Sequence, residues 1–599
     1  MLYSSNPYFD LDPAITNELP SGVIGPGGSV LLDVIVLTLC SIALFGETNK
    51  GRTIHWKFVY LAAIPLVSIW LHGQSDPLQY VHSSMWISSI MACVTLAHVS
   101  RGESVSILAP IVLLALTIPL LASAAFAYGD YAQLIRYFEQ NTEEVLLMNG
   151  MQIGSQAAAV FEERLCSYGP MGWFTTPNVF GGVLLSLGVI WAFVSAASGN
   201  NKKLHVFSAG FIAVLCSIAA ISTLSKAVVV LVVIGTILSL TIFLTNIMKK
   251  WGGWIAFAFV LTAVYTVFLR GFFDETFMSE RSLFVRSQYF VGGLEIAGKN
   301  VLLGVGPMQI QDVWLGVRST SAAEAVVSTH NIVIDWLVSF GIFAFCWIAI
   351  LATVLWNAGK KMYIGDHTKK RQIFAAGLSV AAIILVVDAQ IDLTMFDIGS
   401  ALFAFCLLGI AGSFLNSKTA TKKLYIYRPM IPTFLAGVIL YFGYMPLAHD
   451  AFLQRVAATS IIAGDSTEEV AAALSNQCIT RQSSLIAAKL FVSTGNLAAA
   501  RLSLENVAPN AGVWFLRLKA AATPNEAVIA AQKLVELDPN GLQSVLLLAD
   551  AYWKNNETEK ILSAYERVFQ LNNAYQHDPA RTLSRARIML INQRLEQLQ

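Results

Sequence analysis

Twelve stretches of this 599-residue chain are apolar enough to approach or reach the length of a membrane-spanning helix. A helix rises about 1.5 Å per residue, and a bilayer core is about 30 Å thick, so a crossing takes about 20 apolar residues. The runs fall at 29–46, 58–73, 83–100, 106–128, 178–197, 205–222, 227–247, 252–269, 331–356, 373–391, 398–415 and 429–447. The sixth and seventh meet at Ser225–Lys226, either as two half-length helices or as one broken hairpin. Composition points the same way: the chain is 55% hydrophobic and 13% charged, where a soluble domain carries about 25% charged residues. The expected fold is all-α, a polytopic membrane helical bundle of about twelve spans.

Basic residues sort the connecting loops into two sets. One set holds Lys50, Arg52, Lys57, Arg101, Lys202, Lys203, Lys249, Lys250, Lys360, Lys361, Lys369, Lys370, Arg371, Lys418, Lys422, Lys423 and Arg428. The alternate set holds Arg136, Arg164, Lys226, Arg270, Arg281, Arg286, Lys299 and Arg318, although it includes the two longest loops, 129–177 and 270–330. Lysine and arginine gather on the cytoplasmic side, which puts both termini and both long loops outside. In a bacterium this means a multi-pass protein of the inner (cytoplasmic) membrane, with its long loops on the periplasmic side. The net charge of +1 is segregated between loops and carries no sign of nucleic acid, which is not expected as a partner. The first 28 residues contain no Lys or Arg, so the basic start of a cleavable signal peptide is missing. Of seven cysteines, Cys166 and Cys478 alone fall outside apolar runs; a disulfide between them is open but unsupported.

Composition changes after residue 448. Segment 449–599 is rich in Ala, Leu, Glu, Arg and Gln, and its helices fall in pairs. VAPN ends at Asn510, LDPN at Asn540 and QLNN at Asn573, intervals of 30 and 33 residues. Paired helices at this spacing resemble tetratricopeptide repeats; an ordinary helical bundle with chance spacing is the alternative. Such arrays form an α-solenoid with a concave surface for partner segments. The expected division is therefore a membrane domain, 1–448, followed by an extracytoplasmic helical-repeat domain, 449–599.

Titratable groups collect beside the membrane between Arg281 and Gly341. Arg286 carries a planar fork that matches two phosphate oxygens; facing interfacial water is the plainer role. Arg281, five residues earlier, stands about 140° away on a regular helix, so both meet one site only if the segment is irregular. Gly304 and Gly306 permit a tight turn, with no surrounding strand–helix–strand unit to make it a nucleotide site. His330 opens the ninth run, where an imidazole can take a proton from an incoming hydroxyl or simply cap a helix. Asn331 beside it would orient the imidazole or the substrate. Arg164, Gly172, Pro177 and Asn178 lie at the mouth of the fifth run, Ser225 and Lys226 at the next outward turn, and Asp388, Asp392 and Asp397 at the turn after the tenth. Acidic groups at membrane depth mark functional sites by default, although a surface turn accounts equally well for Asp397. The nine histidines are scattered, so no metal-ligand cluster stands out.

In this order the elements resemble the O-antigen ligase and polymerase superfamily, which includes O-linked protein oligosaccharyltransferases. Its central pattern is an Arg, then an aromatic, then Pro-x-x-Gly-x-Gly, then His-Asn opening a helix that ends in Leu-Gly-x-x-Gly. Arg286, Phe290, Gly304, Gly306, His330, Asn331 and Gly341 match it. Gly172, Phe174, Pro177 and Asn178 match an upstream element, Ser225, Lys226 and Ala227 a third, and Asp392 stands where the family often has an aspartate. The likeness covers about 160–415. Phe290 replaces a tryptophan, Val301 a proline and Lys226 an arginine.

The resemblance implies an inverting membrane glycosyltransferase of the C type that uses a polyprenyl diphosphate-linked oligosaccharide donor and no metal or other cofactor. His330 and Arg286 would be catalytic. Lys226, Arg281 and Arg164 would bind the diphosphate, with Asn331, Asn178, Ser225 and Asp392 in support. The acceptor would be a lipid glycan or a protein hydroxyl, and the repeats would offer a surface for protein partners. A polymerase that extends the glycan chain is chemically alike. Readings from other classes are a transporter, which needs symmetric repeats and polar groups at the midplane, and an inactive assembly scaffold.

Overall fold

A computed structural model of the protein describes residues 25–46, 62–72, 76–99, 104–148, 158, 162, 169–174, 176–198, 203–243, 281–320, 326–349, 351–352, 355, 370–396, 398–413, 430–576 and 582–598. Arg164, Cys166, Asp397, the expected span 252–269 and most of the basic loops lie outside the described residues. The side chain of Arg281 does too.

The described chain is helical throughout, without strands. Among the described residues, seven helices are long and apolar enough to cross a membrane: Gly27–Phe45, Gln79–Ala97, Val112–Gln140, Pro177–Ser198, Lys203–Ser222, Ile332–Ala349 and Met430–Ala463. Lys226–Leu240, Gln372–Asp388 and Gly399–Ala411 are apolar but shorter. At the centre, Pro177–Ser198 packs against Lys370–Asp388 on one side and Lys203–Ser222 on the other. Gln79–Val99 joins Ile398–Ser413 to Gly25–Gly46. Lys203–Ser222 lies at the rim, where Leu204, Phe207, Phe211, Ile218 and Ile221 form an exposed apolar stripe. A stripe three or four residues apart on one helical face suits contact with lipid.

Several boundaries differ from the sequence reading. Of the run 58–73 the helix Ile64–Leu71 is described, eight residues or about 12 Å, while 58–61 lie outside the described residues. The fourth run does not stop at 128: its helix is Ser104–Gln140 and is followed by Thr142–Met148. No proline interrupts 129–148, and good helix formers fill it. The sixth and seventh runs are two helices, Lys203–Ser222 and Lys226–Phe243, around a tight turn. The ninth breaks after Phe340 into a short 3-10 turn, Gly341–Phe343. The last run continues past 448 through a π-turn, Leu440–Tyr444, into Met445–Ala463. Its 34 residues measure about 51 Å, well beyond a bilayer core of about 30 Å.

Beyond Ala463 the helices pack in chain order. Arg481–Thr494 pairs with Leu497–Leu504, Ala511–Lys519 with Pro524–Leu537, and Leu542–Lys554 with Thr558–Ala574. Local chemistry sets the starts: Thr480, Asn496, Asn510, Thr523 and Ser584 each cap a helix by accepting from a backbone N–H in its first turn. Cys478 is a free thiol.

Candidate active site

Four separate chain segments meet at the Asp392 carboxylate, at one end of the bundle. Asp392 lies in the turn between Lys370–Asp388 and Ile398–Ser413, where it caps the 3-10 turn Leu393–Met395. Arg286, on the helix Arg281–Lys299, donates from Nη2 to its Oδ2 at 3.0 Å. Asn178, in the first turn of Pro177–Ser198, donates from Nδ2 to the same oxygen. Oδ1 accepts from the Leu393 N–H at 2.7 Å and the Thr176 hydroxyl at 3.4 Å. The Nδ1 atom of His330 lies 3.9 Å from Oδ1. Ser225 extends the network by donating to Asn178 Oδ1 at 2.5 Å.

The Asp392 side chain is 1% exposed, against 15% for Arg286 and 21% for His330. Burial alone pushes its carboxyl up. The Arg286 guanidinium, with help from His330, the Leu393 N–H and Asn178, outweighs burial and holds it below the ordinary carboxylate value. Asp392 is therefore an anion that organises the donors around it.

The His330 segment is stitched to this turn. Ile332 N–H donates to Ala389 O at 2.9 Å, and Asn331 Nδ2 to Gln390 O at 3.0 Å. Asn331 Oδ1 accepts from Val333 and Ile334, capping the helix. Asn331 thus fixes the helix start, and the group beside the imidazole is Asp392 instead. His330 has a φ of 58°, the left-handed region. A non-glycine residue there costs of order 1–2 kcal/mol and must be held by its surroundings. The holding comes from Ser328, Thr329 and buried Asp335: both hydroxyls and the Thr329 N–H donate to the Asp335 carboxylate, and His330 N–H donates to Ser328. Tyr289 stacks on the imidazole, centroids 5.4 Å apart at 22°.

The Gly304 turn has a structural task. Val305 and Gly306 N–H groups donate to Val338 and Ser339, and Ile342 N–H donates to Val301 O at 2.8 Å. The turn thereby satisfies carbonyls at the end of the His330 helix. His72 reaches it from Ile64–Leu71, with Nε2 at 3.1 Å from Gly304 O.

The structure thus brings together Arg286, His330, Asn331, Asn178, Ser225 and Asp392. Lys226 follows Ser225 and is exposed. Because the backbone from Arg281 is a regular helix, positions 281 and 286 diverge by about 140°, so the irregularity that would let both face one site is missing. Thr176, Tyr289, Ser328 and Thr329 escaped the sequence reading. The hydroxyl pair Ser328–Thr329 directly before His330 was the available signal. Among the described residues, no three His, Cys, Asp or Glu side chains converge as metal ligands would. Comparison with protein-family models, curated proteins and solved structures finds no match to this chain.

Proposed function

We propose that the chain is a membrane glycosyltransferase of the O-antigen ligase type, moving a polyprenyl-diphosphate-linked glycan to an acceptor hydroxyl. One observation carries this reading: an arginine, an imidazole and a buried carboxylate from distant chain segments share one cluster at an end of an apolar helical bundle. That combination suits a reaction in which a hydroxyl loses a proton while a diphosphate gains charge.

The acceptor oxygen attacks the anomeric carbon from the face opposite the diphosphate. The new carbon–oxygen bond forms as the bond to the diphosphate oxygen breaks, and the electron pair leaves with the diphosphate. His330 takes the acceptor proton on Nε2, the nitrogen away from Asp392. Asp392, 3.9 Å from Nδ1, stabilises the imidazolium that results. Arg286 uses the donors of its fork not spent on Asp392 to balance charge on the leaving diphosphate. Lys226, beside the Ser225–Asn178 link, adds a second cation, and Arg164 belongs to the same role.

The finer topology, about twelve spans in a bacterial inner membrane with this cluster on the periplasmic side, is part of the same proposal. So is a tetratricopeptide-like reading of the C-terminal pairs, whose first helices begin at Arg481, Ala511 and Leu542. The test is transfer from a purified lipid-linked glycan. His330→Ala should lower turnover by about 10²–10⁴-fold, and Arg286→Ala by about 10²–10³-fold. Near-normal transfer by both variants, or labelling of a cysteine at 330 only from the cytosol, would sink the assignment.

A further inference from the structure

The sequence reading offered the C-terminal helices as a surface for other proteins. In the structure these helices hold residues 310–318 of the chain itself. Arg318 donates to Asp538 through Nε at 3.0 Å and Nη2 at 2.7 Å, and both side chains are buried. Asn540 Nδ2 donates to Arg318 O at 2.9 Å. Six residues before Arg318, the Asp312 carboxylate accepts from Arg481 at 2.6 Å and from Asn510 at 3.2 Å. Between them Leu315 is buried among Leu485, Leu504, Ala511, Phe515 and Leu534. An acidic, an apolar and a basic side chain, three residues apart, each meet a matching partner. Asn510, Asp538 and Asn540 come from the joins between helix pairs, so the contact follows the repeat of the array.

The same short stretch has a second face. Ile310 and Trp314 are buried with Tyr289, Phe290, Ile334 and Val338, on the helix that carries Arg286 and the helix that follows His330. Trp314 meets Tyr289 edge to face at 5.5 Å, and Tyr289 stacks on His330. A contiguous line of contacts therefore runs from Asp538 through Arg318, Trp314 and Tyr289 to the imidazole.

We propose that the C-terminal array is a positioning clamp. By gripping 310–318 it presses Trp314 against Tyr289 and so backs up the Ser328–Thr329–Asp335 network that keeps His330 in its left-handed conformation. What the clamp serves rests on the function proposed above; the clamp itself does not. Arg318, Asp538 and Asp312 are positioning residues in this scheme.

Amide hydrogen exchange on the full chain in nanodiscs decides it. Arg318→Ala and Asp538→Ala should raise exchange at 310–320 and also at 328–335 by tenfold or more, and the charge swap Arg318→Asp with Asp538→Arg should bring both back toward wild type. The milder Asp312→Asn and Arg481→Gln keep the test open if the first variants fold poorly. They should raise exchange in the same two segments by a smaller factor. Exchange that rises at 310–320 but not at 328–335, or at neither, overturns the clamp. Turnover should fall and recover with exchange at 328–335, while a variant that speeds exchange there and transfers normally also overturns it. A wild-type protein that transfers no glycan removes the glycosyltransferase reading and leaves the exchange result standing.

Discussion

At the scale of single residues, Asp392 decides the arrangement. It is almost wholly buried, and an unpaired carboxylate there would cost several kcal/mol (order of magnitude). Arg286, Asn178, Thr176 and a backbone N–H remove that cost by satisfying it. Its folded-state pKa lies below the ordinary 3.8, so its ionised form stabilises the fold. The stabilisation is complete above 3.8 and disappears as pH falls through the lower folded value. Thermal melting of wild type against Asp392→Asn should therefore show a full difference at neutral pH that closes in acid. A difference independent of pH would mean the carboxylate acts by shape and not by charge. The sequence named Arg286, Asn178, Ser225, His330 and Asp392, because charged, amide and hydroxyl groups stand out in the turns and loops between apolar runs. It did not reveal that Asp392 joins them, since that depends on how the helices cross. Nor did it single out Asp33, buried within the first apolar run and satisfied by Ser84 and Ser88 of a neighbouring helix.

At the scale of elements, apolar length found most of the helices, while their ends followed other rules. Gln140 ends a helix that meets no proline after Pro119, and Phe340 ends one because Gly341 follows with a φ of 54°. The Gly304 turn shows why these two glycine motifs belong together. A Cβ at Gly304 would stand 2.5 Å from the backbone of Ser339, and its φ is +70°. Gly304→Ala should lower stability by about 1–2 kcal/mol from backbone conformation alone, more with the clash. Gly298 is near the end of the neighbouring helix and has open space around it. Gly298→Ala should be neutral or stabilising, by up to about 0.5 kcal/mol. Melting temperatures that move together in the two variants would contradict the close approach of the turn to the His330 helix.

At the scale of the whole molecule, the C-terminal helices meet the rest of the chain at Asp450, at residues 310–318 and at Asp76, which lies 3.9 Å from Arg481. Asp450, buried on the helix Met445–Ala463, accepts from Thr480 and Ser483 at 2.5 and 2.6 Å and so fixes the start of Arg481–Thr494. The second of these is the loop held by Arg318 and Arg481. The composition change after 448 was legible, but the helix that passes through it was not, because Ala, Leu and Gln continue a helix as readily in water as beside lipid. From Arg318 the polypeptide runs through the remaining bundle helices to Ala463, into the array and back to Arg318. The backbone thus closes a circuit whose last joint is noncovalent. A circuit opened at one point stays joined at the other, so fragments 1–463 and 464–599 made separately should reassociate and copurify. Arg318→Ala with Asp312→Asn should weaken that recovery by tenfold or more, and fragments that never meet would show that the joint does not hold by itself.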